Sequence, residues 1–153
     1  MKNGKKNQKG QQVFTVLNQY IKDLSFESPN APYCFADIQN KKPAIQINVQ
    51  VNVNSISETN FDVVLSFDIE AKNDEKIIFR LEVAYSGIFQ VFNFPKEHIS
   101  QILFVECPQL LFPFVRQIIS NTIRDGGFPP LMIDKIDFLQ LFQQKQSSIE
   151  NKE

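Results

Sequence analysis

The chain has 153 residues, 42% of them hydrophobic and 22% charged, which is enough for a single domain that needs no disulfide or metal ion to hold its core. Its 16 lysines and arginines nearly balance 17 aspartates and glutamates, and this near-neutral charge argues against a dedicated DNA- or RNA-binding domain. The two cysteines lie outside any CxxC pattern, which disfavours a disulfide scaffold and a zinc site.

Both ends of the chain are polar. Residues 1–12 are almost entirely Lys, Asn, Gln and Gly and predict a disordered basic leader, and residues 147–153 predict a polar C-terminal tail. The intervening residues 13–146 contain no linker or repeat and predict one domain. No apolar run follows the N-terminal lysines, and charges and prolines interrupt the apolar residues 99–119, so neither a signal peptide nor membrane insertion is expected.

The first half of the chain is predicted to form strands. Residues 45–53, 61–70 and 77–85 alternate apolar and polar side chains with a period of two, and their short polar connections are typical of antiparallel hairpins. Residues 13–26 are a fourth, less regular extended stretch. A four-stranded antiparallel sheet with one apolar and one polar face is expected. The connection at residues 28–43 holds three prolines, is predicted to lack regular structure, and is the kind of long loop that tends to be functional.

The second half is predicted to be helical. A helical pattern over residues 96–105 should be interrupted at Pro108, and a second helix over residues 109–124 should stop at Gly126 and Gly127. Asp137 is predicted to be the N-cap of a last helix. Strands followed by helices indicate an α+β fold with the helices packed on one face of the sheet.

The helix over residues 109–124 is more apolar than one sheet requires. Because a helix that is apolar on two sides is buried on two sides, we expect a second subunit to cover the side that the sheet leaves open. The alternative, a helix at the centre of a larger core, would need more chain than is available. The predicted contact residues on this helix are Leu110, Leu111, Phe114, Val115 and Ile118.

The polar face of the predicted sheet is acidic. Asp62, Asp68, Glu70 and Glu82 lie on it, and Asp23 lies near the end of the first strand. This set indicates either a solvated acidic face or a docking surface for a basic partner.

No catalytic constellation is apparent in the sequence. His98 is the only histidine, and the motifs of phosphate loops, dinucleotide sites, serine hydrolases and zinc proteases are missing. A binding protein without a cofactor is therefore favoured over an enzyme. The alternative is a small-ligand enzyme that uses His98 with nearby carboxylates.

Several segments together resemble the SecB family of protein-export chaperones. They are DLSFE and SPNAP at residues 23–32, FRLEV at 79–83, GIF at 87–89, CPQLLFPFVR at 107–116, GGFPP at 126–130 and IDF at 136–138. The resemblance extends over residues 14–142. It implies a cytoplasmic homotetramer, assembled as a dimer of dimers, that holds unfolded secretory precursor proteins without ATP and delivers them to the SecA motor.

The resemblance also implies site residues. The SecA docking surface would include Asp23, Glu27 and Glu82, with Arg80 where the family usually has an apolar residue; a basic docking segment would be repelled by Arg80. Leu81, Val83 and Tyr85 match positions of subunit contacts. The groove for unfolded clients would be lined by Tyr33, Phe35, Phe79, Phe128, Leu131, Phe138 and Phe142. A related alternative is a SecB-like chaperone for another aggregation-prone client, such as an antitoxin; Arg80 and the lack of tryptophan favour it.

Overall fold

Four antiparallel strands form one sheet, and every strand is long. The computed structural model describes residues 10–152, and side chains as far as residue 148. The strand order is β1-β4-β3-β2, with bounds β1 Val13–Glu27, β2 Ala44–Ser55, β3 Asn60–Asn73 and β4 Lys76–Phe92. The predicted sheet is confirmed, and β4 continues seven residues beyond its predicted end at Tyr85.

Helices follow the sheet, as expected for an α+β domain. Helix α1, Cys34–Asn40, lies in the connection between β1 and β2. After β4 come α2 Lys96–Gln101, a π-helical turn at Ile102–Glu106, α3 Cys107–Asp125 and α4 Phe138–Lys152. Residues 1–9, most of the predicted leader, lie outside the described residues. The backbone of α4 continues through Lys152 into the predicted tail.

Two local predictions were wrong. The connection at residues 28–43 has structure of its own, because α1 occupies its centre. Pro108 does not interrupt the helical run, because it lies in the first turn of α3, where a missing backbone N–H is tolerated, directly after the π-helical turn. The helical residues Lys96–Asp125 therefore run continuously.

The strand register assigns each side chain to one of two faces. The pairs Ile69–Leu81, Phe67–Val83 and Leu65–Tyr85 lie on the inner face, which α3 covers. Leu111, Val115, Ile119 and Ile123 of α3 are fully buried against it. The opposite, outer face carries the acidic residues of β3 and β4.

The helical run Lys96–Asp125 is long and apolar enough to cross a membrane by length and composition. Half of its most apolar window is buried within the fold. Packing on the sheet accounts for this buried part of its apolar character only.

Candidate functional site

Four phenylalanines from four different segments form one aromatic cluster. The ring centroid of Phe128 lies 5.0 Å from that of Phe79 on β4 and 5.1 Å from that of Phe35 on α1. Phe26, at the end of β1, stacks 5.8 Å from Phe79. These distances are typical of favourable aromatic pairs. We call these four residues the aromatic cluster.

The two glycines after α3 shape this cluster. Gly127 has a φ of +94°, and its N–H donates to the carbonyl of Arg124 while that of Phe128 donates to the carbonyl of Ile123. This is the helix-ending pattern that favours glycine, so the predicted stop is confirmed. A Cβ on Gly126 would collide with the ring of Phe26, and one on Gly127 would lie 2.9 Å from the ring of Phe35.

Two side-chain hydrogen bonds connect the loop before α1 to β4 beside the aromatic cluster. Ser28 donates from Oγ to the carbonyl of Ile78 at 3.1 Å, and Asn30 donates from Nδ2 to the carbonyl of Ile77 at 2.9 Å. Tyr33 comes after these two residues in the chain, and 81% of its surface is exposed. Leu131 is half-buried in the loop after Phe128.

The last two predicted groove residues lie elsewhere. Phe142 of α4 stacks 5.5 Å from Phe104, and a depression of about 390 Å³ separates α4 from β2 beside this pair. Phe138 is mostly buried, with its ring centroid 6.1 Å from that of Phe112, and it lies at a separate depression of about 390 Å³ beside Val105 and Gln109. The seven predicted residues therefore do not form one continuous surface in this structure.

Sequence reasoning missed two aromatic residues that the structure adds to these groups. Phe26 lies within the DLSFE segment that carried the family resemblance, so that segment was a usable signal. Phe104 had no such signal, because its partner Phe142 comes from a distant helix.

Arg80 is paired with two carboxylates of the outer face. Its Nη2 donates to Asp68 Oδ2 at 3.0 Å and lies 2.9 Å from Glu82 Oε1, and its Nε donates to Asp68 Oδ1 at 3.4 Å. The hydrogen bond to Asp68, followed by the charges of Asp68, Glu82 and Glu70, raises the pKa of Arg80.

The same face is concave beside this ion pair. Asp23, Asp68 and Glu82 line a depression of about 570 Å³ together with amide side chains of β2. Within residues 10–148, neither Asp23 nor Glu27 forms an ion pair. The predicted docking acids thus share one face with Asp68, which the sequence placed on the acidic face and the family resemblance did not include among the SecA contacts.

Several predicted subunit contacts are buried inside the single chain. Leu81, Val83, Leu111 and Val115 have almost no exposed surface, because they form the contact between the sheet and α3. A side chain without exposed surface has none to offer to a second subunit, so their assignment to the interface is corrected. Tyr85 is also mostly buried, and its ring stacks 6.3 Å from that of Phe114.

An apolar stripe does remain open on α3. Leu110, Phe114 and Ile118 recur every four residues, and Phe114 exposes 47% of its surface. Ile21 and Leu24 of the edge strand β1 are similarly exposed on the same face of the sheet as Tyr85. We call these five residues the open apolar face.

In the part of the chain that the structure describes, no three His, Cys, Asp or Glu side chains lie close enough together to hold a metal ion. His98 lies exposed near the start of α2 and lines a depression together with Phe94, Ile102, two glutamine side chains and the carboxylate-bearing Glu106, so the alternative that pairs His98 with a nearby carboxylate stays open.

Comparison with known proteins decides the family. The family model described as preprotein translocase subunit SecB matches residues 7–149. The chain belongs to the SecB family. Protein-export protein SecB of Bartonella bacilliformis is 53% identical over 87% of this chain and 83% of its own length, and that of Mesorhizobium japonicum is 52% identical over 94% and 85%. The resemblance read from the sequence motifs is confirmed, and with it the general function of an export chaperone.

A solved structure shows that the SecB fold is also used by more distant proteins. A SecB-like chaperone of Mycobacterium tuberculosis, in complex with a ChAD peptide from an antitoxin, matches with a TM-score of 0.67 over 80% of this chain and 90% of its own. The two sequences are 12% identical, so the comparison shows the shared fold alone.

Proposed function

We propose that this SecB protein is a cytoplasmic, ATP-independent holdase that binds unfolded secretory precursors and delivers them to the SecA motor, working as a homotetramer without catalytic activity. The observation that carries the proposal is the family membership, with about half of the residues identical to curated export proteins over most of the chain.

The edge of β2 supports binding of unfolded clients, together with Phe26 and Phe35, the two half-buried members of the aromatic cluster; Phe79 and Phe128 are buried. β2 pairs with β3 residue by residue over its whole length, and its other edge has no partner strand among residues 10–152. Its sequence, AIQINVQVNVNS, lacks the charges and prolines that usually protect an edge from pairing. An extended client could therefore add backbone hydrogen bonds there. Each apolar client side chain that becomes fully buried would contribute about 1.5–3 kcal/mol.

The open apolar face supports assembly into an oligomer. Surface phenylalanine, leucine and isoleucine side chains that lie together in this way are typical of protein interfaces. A second copy of the chain is the partner that fits, because the face comprises one edge strand and one helix stripe, both of which a two-fold axis can match with themselves.

The outer face supports docking of a basic partner. Its carboxylates surround a depression on the side of the sheet away from α3. SecA docking at this face would leave the unpaired edge of β2 free for clients.

The decisive experiment measures binding to an export precursor diluted from denaturant, compared with the same precursor in its native fold, without nucleotide. Tight binding of the unfolded form alone is expected. Phe35→Ser should weaken it, because Phe35 is half-buried in the aromatic cluster, whereas Ile56→Ser should not, because Ile56 is an exposed residue of the β2–β3 turn. Equal binding of both precursor forms would contradict the holdase function.

Service to an antitoxin client is the alternative function. The mycobacterial neighbour shares only the fold, whereas the relatives at about 50% identity are export proteins. Binding to an antitoxin segment with no binding to export precursors would favour the alternative.

A further inference from the structure

Arg80 is a basic residue in the middle of an acidic surface. The strand register places Glu27 of β1 and Glu70 of β3 directly across from it, and its guanidinium contacts Asp68 and Glu82. Two carboxylates therefore contact the guanidinium, and two further glutamates lie at the neighbouring positions of β1 and β3.

Arg80 contacts Asp68 and Glu82 in the way that a basic side chain of a partner would contact them. Nε and Nη2 approach the two oxygens of Asp68 in a fork, and Nη2 also reaches Glu82. A guanidinium in this position occupies two carboxylates at once, which a lysine of similar length would not reproduce.

The ion pairs of Arg80 are nevertheless exposed, so another cation can reach the two carboxylates. The side chains of Arg80, Asp68 and Glu82 are 45%, 41% and 45% exposed. Exposed ion pairs of this kind contribute little to folding stability, so holding the fold together does not explain the arrangement. A cation from a partner can replace Arg80 without unfolding the sheet.

We propose that Arg80 is an internal competitor for the basic partner of the outer face: it occupies Asp68 and Glu82, and a docking segment must displace it to bind them. Docking then depends on a partner with enough positive charge to take over both carboxylates, and weaker basic ligands are rejected. This inference rests on the proposed docking of SecA.

The test compares the full-length protein with its Arg80→Leu variant, using SecA and a synthetic decalysine peptide as separate probes. Arg80→Leu should bind both probes about three- to tenfold more tightly at low salt, because it frees two carboxylates and removes a like charge. The difference should shrink at high salt, where exposed charges are screened.

Lys72 provides a matched control. It pairs with Glu70 at 3.1 Å, so Lys72→Leu removes the same charge from the same region but leaves Asp68 and Glu82 occupied. Its affinity should change less than about twofold. In a double-mutant cycle, Glu82→Gln should weaken binding more in the Arg80→Leu background than in the original protein.

The outcomes separate the two proposals. If SecA binds neither protein but decalysine binds Arg80→Leu more tightly, SecA docking fails and the competitor role of Arg80 stands. Equal or weaker decalysine binding by Arg80→Leu, or an equal gain from Lys72→Leu, would overturn the competitor role.

Discussion

Replacement of Phe114 by aspartate should dissociate the oligomer while each chain stays folded. A phenylalanine buries about 200 Å², and 47% of Phe114 is exposed, so about 90 Å² per subunit is available to a partner. At about 25 cal/mol per Å², its burial contributes about 2 kcal/mol per subunit. The aspartate loses this contribution and adds the cost of burying a carboxylate without a partner.

The neighbouring residue gives the control. Val115 is buried against the inner face, so Val115→Asp places a charge in the core and should unfold the chain. Light scattering after size exclusion measures the mass, and circular dichroism measures the fold. A Phe114→Asp protein of unchanged mass, or an original protein that is already monomeric, would refute the role assigned to the open apolar face.

Three further predictions concern residues that stabilise the fold. Gly127→Ala should lower the unfolding free energy, measured by urea unfolding, by about 1–2 kcal/mol because of its positive φ, and it should displace Phe35. Gly126→Ala adds no backbone strain but collides with the ring of Phe26, so the ring resonances of Phe35 and Phe26 distinguish the two variants. Asp137→Ala removes the cap that accepts a backbone N–H at 3.0 Å, so it should cost about 1 kcal/mol and speed hydrogen exchange in the first turn of α4. Burial, with a smaller contribution from a neighbouring glutamate, raises the pKa of Cys107. Because the folded thiol keeps a proton that the unfolded thiol releases, unfolding free energy should fall as pH rises above the ordinary thiol pKa, and Cys107→Ala should lose this part of the fall.

Local patterns were sufficient to predict most of the fold. The alternation in β2, β3 and the first part of β4 follows directly from one buried face, and the cap at Asp137 and the stop at Gly127 each depend on neighbouring backbone groups. Pro108 was misread because proline usually breaks a helix, and the adjacent π-helical turn that accommodates it has no sequence signature of its own.

The site was less predictable than the fold because it depends on distant pairings. The resemblance to the family supplied the docking acids and the aromatic residues, but it did not show which of them are exposed. The alternation placed Leu81 on the apolar face of the sheet, but it did not show whether α3 or a second subunit covers it. Asp68 was recognised as acidic but not as the partner of Arg80, since the two lie on different strands.

Strand β4 separates the core from the acidic outer face. Leu81 faces α3, while its neighbours Arg80 and Glu82 face the opposite side, because successive side chains of a strand alternate. Changes to the outer residues therefore leave the inner packing untouched, so the charge of the outer face can vary without disturbing the core. A shift of the register by one residue would exchange the two faces, placing Arg80 in the core and Leu81 in water. The unbroken pairing of β3 with β4 between Asn60 and Ala71 thus keeps the core and the docking surface apart.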